Sequence, residues 1–117
     1  MGFNFEELDV YNKAIDFVNN IYTLTRNFPK NEMFGLTGQL RRAAVSIPSN
    51  ISEGSARTKK DFSRFIDITR GSAMECVTLL QISVKQRHVD ERKYNDLRSN
   101  LIELSKMLSG LKKSVNK

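Results

Sequence analysis

His88 is the only histidine and Cys76 the only cysteine among 117 residues, so metal or nucleophilic chemistry would have one of each to work with. Cys76 falls between Ala73 and Leu80 on a helical seam, where a thiol behaves as a small hydrophobe, and no activating partner stands at contact spacing. His88 sits in a turn beside Arg87, without a second histidine to complete a metal site. Gly35 and Gly38 in FGLTGQ lack the Lys-Ser/Thr pair and the preceding strand of a phosphate loop. No pair of carboxylates stands apart from ordinary helix-surface acids. The expectation is a protein that is not an enzyme, with no catalytic residues, no cofactor and no metal.

Two groups of polar residues remain. Arg57, Lys59, Lys60 and Arg64 cluster where one helix gives way to the next, with Arg41 a further cation on the preceding helix. The chain carries 19 Lys and Arg against 13 Asp and Glu, a net charge of +6. Up to Thr58 the two signs balance, so the whole excess lies from Lys59 onward. Such a basic half reads either as a footprint for nucleic acid or another anionic surface, or as a solvated face that maintains solubility. No aromatic residue is expected to interleave the cluster on an exposed face, which points to backbone contacts with little sequence readout. The second group is a stripe: Arg42, Ser46, Ser49 and Glu53 share a helix face, with Gln39 and Asn50 alongside. It reads as an internal polar network, with Ser or Asn side chains satisfying carbonyls freed by Pro48, or as a polar groove for a ligand or partner.

These side chains need helices to hold them. Val10, Ala14, Phe17, Ile21, Leu24 and Phe28 recur at alternating steps of four and three, a seam only a helix places on one side. Phe28-Pro29 closes that helix. Leu36, Leu40, Ala43, Ile47 and Ile51 mark a second from about Gly35 to Glu53 or a little beyond. Pro48 lies inside it and cannot donate to the carbonyl of Ala44, so a kink is expected there. Phe62, Ile66, Thr69, Ala73, Cys76, Leu80 and Ser83 define a third helix from about Lys59 to Arg87. Tyr94, Leu97, Leu101, Leu104, Leu108, Leu111 and Val115 form a heptad pattern for a fourth, with Asp90 as its N-cap. The connections are short, which favours antiparallel neighbours. The fold class is therefore all-α, an up-down antiparallel four-helix bundle, with residues 1–117 forming a single domain.

More apolar surface is present than four seams need. Tyr11, Ile15, Val18 and Tyr22 add a stripe to the first helix, and Phe65, Ile68, Val77, Leu79, Ile82 and Val84 flank the third seam. Wide apolar faces on so small a domain suggest self-association, with the first stripe as a candidate interface. The start of the chain lacks the basic and apolar regions of a secretory signal, so a cytoplasmic location is expected and Asn50-Ile51-Ser52 is a chance glycosylation match. Glycine numbers 6, proline 2 and tryptophan 0, a shortage of turn residues that argues against a many-stranded β fold.

Longer motifs carry a resemblance. F-x-x-L-x-V-Y-x-K-A from Phe5 to Ala14, then FP-x-x-E-x-FGL-x-x-Q-x-RRAA-x-SIPSNI-x-EG-x-x-R from Phe28 to Arg57, then GS-x-x-E within Phe65 to Glu75, are similar to the 23S rRNA-intervening-sequence family. The chain departs from that pattern at Tyr11-Asn12, where Trp-Gln is frequent, at Ser52, and at KQRHVDER. The resemblance implies a four-helix bundle assembled into a ring of five. It also implies a link to accessory proteins of diversity-generating retroelements, which are pentameric and basic and bind a reverse transcriptase and nucleic acid. Together with the charge distribution, the expected partners are further copies of the chain and nucleic acid, RNA more than DNA. The alternative is a protein-interaction scaffold whose target is a protein such as a reverse transcriptase. No membrane partner is expected.

Overall fold

A computed structural model of the chain describes residues 2–117. A short 3-10 turn, Asn4–Glu7, leads into α1 (Asp9–Thr25). A second 3-10 turn, Lys30–Glu32, precedes α2 (Leu36–Ser55), which is followed by α3 (Lys59–Lys85) and α4 (Glu91–Val115). Among the described residues there is no strand, and no helix is long and apolar enough to cross a membrane.

Local chemistry sets the helix ends. The side chain of Thr58 accepts from the Asp61 amide at 3.2 Å and that of Asp90 from the Lys93 amide at 2.7 Å, so α3 and α4 both start on a capped first turn. α3 ends on a Schellman turn: the His88 amide donates to the Ser83 carbonyl and the Arg87 amide to that of Val84. Glycine usually takes the left-handed position of that motif; here it is Arg87, at φ 64°. α2 runs unbroken through Pro48, which is buried, so the kink expected there does not divide the helix.

Each helix packs closely against its two neighbours, α1 against α2 and α4, α3 against α2 and α4, and seams of all four share one core. The core is the set of seams. Phe17, Ile21, Leu40, Ile47, Ile51, Ile66, Leu80, Leu97, Leu101, Leu104 and Leu108 are all sealed from solvent. Burying a side chain of this size contributes roughly 1.5–3 kcal/mol. Thr25, Thr69 and Ser83 enter the core without an unsatisfied hydroxyl because each donates to its own helix, to Ile21, Phe65 and Leu79 carbonyls respectively. Leu79 joins the core instead of flanking it, since α3 packs against two helices and needs a face wider than one seam. Ile15, Ile68 and Ile82 stay exposed, while Tyr11, Val18, Tyr22, Phe65, Val77 and Val84 are half-buried.

α2 and α3 make the most extensive helix pair, and they approach closely beside their connecting turn. A Cβ on Gly54 would stand 2.6 Å from the Cβ of Phe65, so only glycine fits at this crossing.

Candidate functional site

The turn Ala56–Thr58 sends the chain from α2 directly into α3 and gathers Arg57, Lys59, Lys60 and Arg64 at one end of the bundle. All four are exposed. Arg57 pairs with Glu53 one turn back, at 3.0 Å, and Arg64 approaches Asp61 at 3.8 Å. Both guanidinium groups also stand over the ring of Phe65, at 5.3 and 5.5 Å from its centroid. Phe65 thus lies among the cations, but half-buried beneath them and not on an exposed face. It lies on the α2-facing flank of α3, and the path of the turn carries Arg57 over it.

Lys59 and Lys60 have no ion-pair partner among the described residues. They occupy the first turn of α3, the positive end of the helix dipole, where carboxylates are favoured and cations cost stability. The first-turn amides and these cations together make a surface suited to anionic oxygen.

Arg41 is not part of this group. It lies about 20 Å away along α2 by the helical rise. There its Nε donates to the Thr25 hydroxyl at 2.9 Å and its guanidinium covers Tyr22 at 4.5 Å from the ring centroid. Those contacts tie α2 to α1.

The polar stripe of α2 divides. Ser46 and Asn50 turn towards α3: the Asn50 amide donates to the Ser46 carbonyl and hydroxyl, each at 2.8 Å, and the Ser46 hydroxyl meets that of Ser72 at 2.8 Å. Gln39, Arg42, Ser49 and Glu53 face solvent. Arg42 joins no polar network among the described residues, which corrects the expectation that it would. The side chains of Asn50, Ser52 and Ser55 reach the carbonyls of Ser46, Ser49 and Ser52, not that of Ala44 opposite Pro48.

At the other end of the bundle the structure brings together two residues that spacing did not connect. His88, read as a lone surface histidine, lies half-buried with Nε2 3.0 Å from Glu32 Oε2 and its ring against Phe28. Glu32 Oε1 in turn accepts from the Leu36 amide that opens α2. The hydrogen bond with His88, and then that from Leu36, hold the Glu32 carboxyl below its ordinary 4.5. Cys76 is sealed in the core, and burial pushes its thiol up to about 12. Among the described residues no three His, Cys, Asp or Glu side chains gather as a metal site would require.

A family model described as 23S rRNA-intervening sequence protein matches residues 6–110. A crystal structure at 1.70 Å of a protein of unknown function from the S23 ribosomal protein family of Bacteroides thetaiotaomicron VPI-5482 has the same fold, with a TM-score of 0.82. The two sequences are 23% identical over 89% of this chain and 95% of that one. No curated protein matches the chain.

Proposed function

Since this chain belongs to the 23S rRNA-intervening sequence protein family, we propose that it is a non-enzymatic, self-assembling cytoplasmic protein that binds structured RNA through phosphate contacts at the α2–α3 turn. One observation carries this reading. Lys59 and Lys60 stand exposed and unpaired at the helix end where the fold alone would favour acids. A role outside the fold accounts for that placement. Arg57 and Arg64 extend the same surface, their guanidinium groups both standing over the ring of Phe65. In a ring of five copies each weak patch is repeated, and the separate attachments add through effective concentration. RNA is preferred to DNA on the strength of the family alone.

Titration against a fluorescent structured RNA at several salt concentrations tests this. Binding weakens log-linearly with salt, and Lys59→Glu with Lys60→Glu and Arg64→Glu lowers affinity at least about tenfold across unrelated RNAs. The same variant flattens the salt slope by roughly 0.7–0.9 for each phosphate it ceases to neutralise. Unchanged affinity in that variant would remove the turn as the binding surface.

A second reading rests on Phe34. It stands 95% exposed beside Met33 at the opposite end of the bundle, an aromatic anchor of the kind that protein partners bury. On this reading the chain is a scaffold for a protein partner such as a reverse transcriptase. A complex from the native host that survives nuclease and is abolished by Phe34→Ala would favour it over RNA binding.

A further inference from the structure

Three aromatic rings stack outside the core where the chain enters the bundle. The rings of Phe3 and Phe5 are nearly parallel, 11° apart in plane with centroids at 5.6 Å, and Phe5 meets Tyr11 edge-on at 4.9 Å. The outermost ring is held in place. The Phe3 amide donates to Glu6 Oε1 at 2.7 Å, and the Glu6 amide donates back to the Phe3 carbonyl at 3.0 Å. Yet Phe3 is 70% exposed, so the stack ends in water. Hydrophobic burial gives the fold little return for a ring placed this way.

Topology puts the stack at the cation end. The chain enters α1 at the end of the bundle opposite the α1–α2 turn, and α2 returns to that end before α3 departs from it. The 3-10 turn Asn4–Glu7 packs on α1 and α2, while Lys59 and Lys60 open α3, the next helix over. α4 also finishes there and adds the exposed Lys113 and Lys117. Charge is divided across this end. Beside the cations the acids are occupied: Glu53 by Arg57, Asp61 by Arg64 and Asp67 by Lys112. Beside the rings, Glu6 is engaged by the Phe3 amide, but Glu7 and Asp9 are exposed and form no ion pair among the described residues. A phosphate is therefore drawn to the lysine side and repelled from the ring side, where an uncharged base can still lie. Bases within a duplex are already stacked on their neighbours, so only an unpaired nucleotide can offer its face to a ring. We propose that Phe3 is a stacking platform for an unpaired base in a loop or bulge of RNA, with the adjoining phosphates on Lys59 and Lys60. This rests on the RNA reading above and names the part of a structured RNA that is recognised.

Two RNAs of equal nucleotide count test it, a hairpin with 2-aminopurine in its loop and a fully paired duplex. Wild-type protein is expected to favour the hairpin and to quench the 2-aminopurine. Phe3→Ala lowers hairpin affinity about tenfold, as loss of one base–aromatic stack does, and abolishes the quenching. It leaves duplex affinity and the salt slope as they were, because no phosphate contact is lost. Phe3→Leu, which keeps apolar bulk without an aromatic face, behaves like Phe3→Ala, and circular dichroism melting checks that both variants fold. Unchanged hairpin affinity and quenching in a folded variant, or an equal loss on both RNAs, would overturn the platform while the phosphate contacts stand. A fall in molar mass of Phe3→Ala by light scattering would assign the ring to contacts between copies and also overturn it. A wild-type protein that binds neither RNA at low salt would overturn the RNA reading itself.

Discussion

The two ends of the bundle answer opposite demands. At one end the α1–α2 and α3–α4 turns are bound to each other: Glu32 and His88 pair half-buried, Phe28 backs the histidine ring, and the Leu36 amide is satisfied. At the other, the α2–α3 turn holds its cations out in water, two of them against the helix dipole. In the first the charged groups serve the fold, and in the second the fold bears a cost for them. A charged residue is thus informative about function when its surroundings oppose it, and much less so when they have been arranged around it.

Mutations at the cation end reach both extremes of that contrast. Gly54→Ala places a Cβ against that of Phe65, and the crowding outweighs the better helix propensity of alanine, so urea unfolding is expected to show a loss of about 1–3 kcal/mol. Wild-type stability in that variant would mean that α2 and α3 can separate at their turn. Lys59→Glu with Lys60→Glu runs the other way. It satisfies the dipole and raises stability by roughly 0.3–1 kcal/mol per residue at low salt, while the RNA affinity falls. A destabilised double variant would show that the lysines serve the fold, and the contrast between the ends would collapse.

The paired end responds to acid. Because the Glu32 carboxyl is held below its ordinary 4.5 in the folded chain, its contribution is complete above that pH and fades as the pH falls through the lowered folded value. Glu32→Gln is therefore expected to melt below wild type near pH 6, with the difference shrinking under pH 4.5. A pH-independent difference would show that the charge on Glu32 does not support the fold.

Helix spacing made the seams legible, because residues three and four apart must share a side and only one side of each helix can be dry. The caps at Asp90 and the close of α1 near Pro29 follow from single-residue chemistry in the same way. What stayed hidden depends on topology. Glu32 and His88 are 56 residues apart and meet only because an up-down bundle returns alternate turns to the same end. The motif E-x-FGL flagged the glutamate, but nothing local named its partner. Arg87 gave no sign of a left-handed residue, since glycine is the usual mark of that turn. Gly54, inside a helical pattern, is a signal of close approach legible in the sequence, and the placing of Arg57 over Phe65 is not, for it follows from the path of the turn.

The link between Glu32 and His88 also sets an order in time. α2 and α3 are joined by three residues and pack most extensively, so their interface can form early with little loop to close. Glu32 directly precedes α2 and His88 directly follows α3, so carboxylate and imidazole meet at the end of that pair farthest from its turn, once the two helices have closed along their whole length. A bond made at that last point is expected to slow the opening of the pair more than it speeds its assembly.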